Sequence, residues 1–200
     1  PLLIRSGQQE GLSFINPDMV SSVLFSAGGF DARYGDKMSS VLDIRYKKPS
    51  TFAGSAAMSL MGGSLHLEGS SKDRRLSYIS GFRYKTNKFL LNSLDTQGDY
   101  NPRFTDFQTY ISYDLTTDWE FDLLGNIAHN NYRFIPESGE TSFGTISEAL
   151  KLRVFFDGME KDAFTTYLGA FSTRFHPSEN FELKFILSAF QTQESETYDI

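Results

Sequence analysis

Three histidines, His66, His129 and His176, are the first residues to test for acid–base or metal chemistry. They stand far apart on different predicted elements, and none has a second ligand at the close spacing that a zinc site uses. Cysteine is absent, which excludes disulfides and thiolate ligands. The acidic stretch 95–99 lacks the alternating oxygen ligands of an EF-hand. Serines are plentiful, but no Gly-x-Ser-x-Gly elbow occurs, and the predicted strand-to-strand order offers no strand–turn–helix to carry one. No catalytic group, metal or cofactor is expected.

Aromatic rings are better candidates. Tyr100, Phe104, Tyr132, Phe134 and Phe143 fall in segments that read as loops. Exposed rings give contact area at low entropy cost, which suits capture of a ligand or partner. The plainer reading is that they pack the loops on one another. A second set has mixed charge: Glu68, Arg75, Arg83, Asp114, Glu120, Asp122, Glu182 and Lys184. All fall on the polar side of predicted strands, as a wet interior would require.

The elements that would position these groups follow from period-two patterning. Residues 1–48 read as a mixed module. A strand candidate spans 1–5, Asn16-Pro17-Asp18 is a helix-start signal, and Val23-Leu24-Phe25 reads as strand. From residue 49 the chain alternates, with strands expected at 53–60, 64–69, 75–84, 107–115, 119–130, 163–175 and 181–190. Turns are expected at 61–63 and 70–74 and loops at 85–106 and 136–145, with a short strand-like piece at 152–156. Several of these strands are long enough to cross a bilayer when tilted, longer than the usual globular strand. After the first hairpin, short turns alternate with long connections, the outer-membrane barrel pattern. Parity then requires 131–162 to lie beyond one end without a full crossing. The 200 residues carry net charge −6, with no nucleic-acid signature. A mean hydropathy of −0.33 looks soluble, yet barrel strands are apolar on one side only.

The junction between the two regions carries a family resemblance. Gly28-Gly29 permits unusual backbone angles, and Tyr34-Gly35-Asp36 reads as a tight turn. The run Gly29-Phe30-Asp31-Ala32-Arg33-Tyr34-Gly35 followed by Ser40-Val41-Leu42-Asp43-Ile44 resembles the end of the plug domain in TonB-dependent outer-membrane receptors, of the Bacteroidetes type. The resemblance continues through Gly62-Gly63-Ser64-Leu65-His66-Leu67-Glu68-Gly69 and Tyr78-Ile79-Ser80-Gly81-Phe82-Arg83-Tyr84. It implies an all-β fold: the C-terminal part of a small α+β plug domain (1–48), then about seven antiparallel strands of a transmembrane β-barrel (49–200). It implies uptake of a scarce nutrient (siderophore, cobalamin, glycan or peptide) across the bacterial outer membrane, with lipid, the TonB complex and a surface lipoprotein as partners. The TonB-contacting segment would lie upstream, in a longer protein of which this chain is an internal piece. Arg33 matches a plug arginine that pairs with barrel carboxylates. The alternatives are a non-transporting outer-membrane barrel, such as an adhesin or secretion component, and a soluble β-rich binding module.

Overall fold

The structure is a computed structural model, and it describes residues 15–31, 34, 35, 39–91, 98–136, 138–145, 148–155 and 158–199. The strand expected at 1–5, Arg33 and residues 36–38 lie outside the described residues.

The N-terminal part begins with local capping. Asn16 Oδ1 accepts the Asp18 N–H at 3.1 Å and starts a 3-10 turn, Pro17–Met19. Pro17 suits that first position because its missing N–H would have had no partner there. Strand β1 (Val20–Ala27) then pairs antiparallel with β2 (Ser40–Tyr46) in a two-stranded sheet of its own. Gly28 leaves β1 at φ 81 and donates its N–H to Ser39 O at 3.2 Å. That angle is open to glycine and strained for most other residues. Gly29 does not share it. The Tyr34 N–H donates to Asp31 O at 3.0 Å; of the turn expected at Tyr34-Gly35-Asp36, Asp36 lies outside the described residues.

The remaining strands are β3 (Ala53–Ser59), β4 (Gly62–Ser70), β5 (Leu76–Lys85), β6 (Gly98–Tyr100), β7 (Arg103–Asp114), β8 (Trp119–Pro136), β9 (Gly139–Thr145), β10 (Glu148–Val154), β11 (Met159–Ser178) and β12 (Phe181–Asp199). A single antiparallel sheet runs in the order β3-β4-β5-β7-β8-β11-β12, and β6 adds to the end of β8. The chain is therefore all-β, and its long strands follow one another as neighbouring hairpins. The sheet is open: β3 and β12 are its edges. Among the described residues, strands β9 and β10 pair with each other and not with the large sheet.

Short turns (71–75, 115–118, 179–180) occupy one end of the sheet. The other two connections, β5 to β7 and β8 to β11, leave from the opposite end, while 131–136 and 159–162, expected beyond the sheet, continue its ladder as extensions of β8 and β11. Several boundaries differ from expectation. The stretch 85–106 is not one loop, because it holds a short helix α1 (Lys88–Leu91), β6 and the start of β7. The polar segment 136–145 is mostly β9, and the piece expected at 152–156 is the end of the longer β10. The turn expected at 61–63 is Leu60-Met61, and Gly62 already begins β4. A Cβ on Gly62 would overlap Tyr84 O, so glycine brings the two backbones together. Strands β8, β11 and β12 reach 18, 20 and 19 residues, beyond their expected ends. Alternation of apolar residues fades there, but backbone pairing continues without it.

The two faces of the sheet are inverted relative to a soluble domain. Leu123 and Ile127 of β8 are 49% and 50% exposed, as are, comparably, Leu65, Leu67 and Phe107 on the same face. On the opposite face Gln108 is 0% and Asn126 3% exposed, with Arg83, Asp106 and Ser112 also buried. Polar residues are ordinarily on the outside, and here they line the covered side.

Candidate functional site

The covered polar face is where the N-terminal segment docks. Gln108 is its centre: Oε1 accepts the Asn16 N–H at 3.1 Å, and Nε2 donates to the Tyr46 hydroxyl at 3.2 Å. Gly81 stands opposite Gln108 in the ladder. A Cβ there would collide with Asn16 Nδ2, so a residue with no side chain makes the seat for Asn16. One row away Arg83 pairs with Asp106 through two bonds, Nε to Oδ1 at 2.8 Å and Nη2 to Oδ2. Its Nη1 donates to Ile15 O at 3.0 Å. Both partners are almost fully buried, and the Arg83 guanidinium also lies over the Phe104 ring. A buried pair of this kind is costly to break from one side, because it leaves an uncompensated charge.

A second group of contacts holds the strand that leaves the N-terminal part. The Tyr46 ring stacks on Tyr110, with centroids 5.0 Å apart. The Tyr110 hydroxyl donates to Asp122 Oδ1 at 2.7 Å, and Ser172 Oγ donates to Asp122 Oδ2 at 3.1 Å. Lys48 Nζ meets Glu120 Oε1 at 2.6 Å. Burial pushes the Tyr46 hydroxyl up to about 12, opposed in part by the Gln108 bond and the Arg83 charge. An open cleft of about 570 Å³ remains between β1 and the β5 residues Arg83 and Lys85.

No family model, curated protein or solved structure matches the chain.

The sequence-predicted residues fall in three places. Gly28, Tyr34 and Gly35 close the β1–β2 hairpin, and the Tyr34 hydroxyl donates to Asp43 Oδ2 at 2.9 Å. Tyr100, Phe104, Tyr132 and Phe134 come together at the long-connection end of the sheet, and Phe143 sits apart on β9. These five lie on strands, not in loops. Phe104 and Tyr132 are 2% and 4% exposed and so form wall, not free rings. Tyr100 packs on Phe134 at 4.6 Å and Tyr132 at 6.5 Å. The reason is that β8 continues past residue 130 and captures β6, which draws the rings onto one face.

The mixed-charge set lies on the polar face where it falls in strands. His66 is buried there, 3.2 Å from Glu68. His129 is on the other face with Nδ1 2.9 Å from Thr165 Oγ1, and His176, at the start of the turn that the sequence suggests at 176–180, lies instead near the end of β11. Among the described residues no group of His, Asp or Glu converges on a metal-sized point. Sequence reasoning missed Asn16, Gly81 and Gln108 as a docking set. The available signal was a glycine interrupting an otherwise bulky strand.

Proposed function

We propose that this chain is part of a TonB-dependent outer-membrane receptor, with residues 1–48 the end of its plug and residues 49–200 a portion of its transmembrane barrel wall. The observation that carries the reading is the inverted sheet: apolar side chains on the open face, polar and charged ones beneath the docked N-terminal segment. A soluble sandwich would bury Leu123 and Ile127 and expose Gln108 and Asn126. Lipid reverses that order, because the solvent on the outside is itself apolar.

The dimensions agree. On β8 the open face is apolar from Trp119 to Ile127, and turns polar at His129, Asn131 and Arg133. Nine residues at ~3.3 Å each, tilted by ~40°, give a band about 23 Å tall, close to the ~25 Å apolar girdle of such barrels. Trp119 stands beside Phe121 and Phe175 at one margin, where amphipathic rings belong. The open edges at β3 and β12 suit a wall that further strands would close.

In this reading the barrel admits a scarce nutrient when the TonB complex acts on the plug, and the clamp on Ile15 and Asn16 is part of what such a pull must loosen. A surface lipoprotein is a further partner. The test is a deletion strain of a bacterium carrying the gene, with the tagged protein followed by membrane fractionation. The expected result is recovery from the outer membrane only with detergent, and loss of energy-dependent growth on one defined nutrient. Recovery in the aqueous phase without detergent overturns the reading.

A further inference from the structure

The long-connection end of β8, β11 and β12 holds charges that the docked segment does not use. We propose that this part of the polar face recognises an organic cation, a ligand presenting an ammonium or guanidinium group. The inference rests on the receptor reading and names the charge class of its ligand.

Three rows of the ladder define the place: Asn130–Phe164–Glu194, Tyr132–Asp162–Glu196 and Phe134–Glu160–Tyr198. None of these positions is basic. Asp162 faces Glu196 directly, and like charges in opposed positions weaken strand pairing. Asp162 is 5% exposed, and its buried Oδ1 has no hydrogen-bond partner. A buried carboxylate oxygen without a donor costs stability. The chain therefore tolerates two local penalties at one spot, and a bound cation would relieve both.

The surroundings select the kind of cation. Tyr132 and Phe134 stand beside Asp162 and Glu160 in the register, and Tyr100 packs on both rings. The Tyr198 hydroxyl donates to Glu196 Oε2 at 3.4 Å. Aromatic faces next to carboxylates favour an organic cation, which gains from both. A metal ion needs its oxygen donors within about 2.6 Å. Same-face residues here are about 7 Å apart along a strand and ~5 Å across, a spread that fits a ligand with several N–H donors. The site lies beyond the apolar band, level with Arg133 and Lys161 on the other face, so a ligand reaches it from water.

Isothermal titration of the detergent-solubilised protein with tri-arginine, triglycine and Ca²⁺ tests the proposal. Tri-arginine is expected to bind with an affinity that falls as salt rises, and triglycine and Ca²⁺ are not. Glu196→Gln lies on an exposed edge strand, where folding is not at risk, and should weaken tri-arginine at least tenfold. Asp162→Asn with Glu196→Gln should abolish binding, and Glu182→Gln at the opposite end of β12 should leave it unchanged. Equal binding of triglycine, equal losses in E196Q and E182Q, or Ca²⁺ binding lost in D162N each overturns the proposal. So does a D162N protein that melts higher but binds as before. The readout needs no transport. A protein that binds tri-arginine but resides outside the outer membrane overturns the receptor reading alone. An outer-membrane protein that ignores tri-arginine overturns this inference alone.

Discussion

At Gly81 the absence of a side chain decides whether the N-terminal segment can dock. Valine there would push Asn16 off Gln108 and break the 3.1 Å bond from its N–H. Losing one such bond and leaving Gln108 Oε1 unsatisfied weakens docking by about 1–3 kcal/mol, roughly five- to 150-fold. Gly81→Val should therefore speed trypsin cleavage after Lys47 by that order, with the sheet's circular dichroism unchanged; Lys48 precedes Pro49 and is not cut. Tyr46 adds a pH dependence. Its hydroxyl ionises near 12 in place and near 10 when free, so the docked state holds the proton more tightly. That contribution is complete below pH 10 and is lost as pH rises toward 12. Tyr46→Phe isolates that proton: cleavage of the wild-type 47–50 segment by an alkaline subtilisin, which needs no cationic residue, should accelerate as pH rises above 10, and the variant should show a shallower rise. Equal slopes would mean that the Tyr46 proton plays no part.

At the scale of the element, strand identity was legible and strand length was not. Alternation located β3, β4, β5, β7, β8, β11 and β12, because a one-sided apolar face leaves a period-two trace. It fails where both faces turn polar, as at Asn131 and Arg133 of β8 or Gln191 to Thr197 of β12. Pairing there is carried by backbone hydrogen bonds, which composition does not record. Strands β6 and β9 were invisible for the same reason, and with them the gathering of Tyr100, Tyr132 and Phe134. The 3-10 turn at Pro17 was readable because capping is local. The Asn16–Gln108 contact was not, since it joins residues 92 apart. The apolar face makes its own prediction. Leu123→Lys places a charge in the middle of the band and should cost about 2–4 kcal/mol of folding stability in lipid vesicles, against ~0–1 for Asn131→Lys near its rim. Denaturant titration of the reconstituted protein checks both. Equal small effects would mean that Leu123 does not face lipid.

For the molecule as a whole, the receptor proposal gives the strands of the large sheet one orientation in a bilayer, and the single tryptophan tests it. Trp119 is 40% exposed on the apolar face, and its Nε1 donates to Thr173 Oγ1 at 2.7 Å. It sits in the row next to the short turns, where the band should meet the headgroups. In vesicles carrying bromine near the headgroup, its fluorescence should be quenched strongly, and bromine near the chain terminus should quench it weakly. Moving the probe four residues along β8, with Trp119→Phe and Leu123→Trp combined, advances it ~13 Å along the strand. At a tilt of about 40° that is about 10 Å of depth, enough to reverse the preference in favour of the deep bromine. The pair of proteins thus measures direction as well as contact, because a strand lying flat on the surface would give the same shallow profile for both. Absence of quenching in either would place the apolar face against protein, and the whole arrangement of faces would then need a soluble partner to cover it.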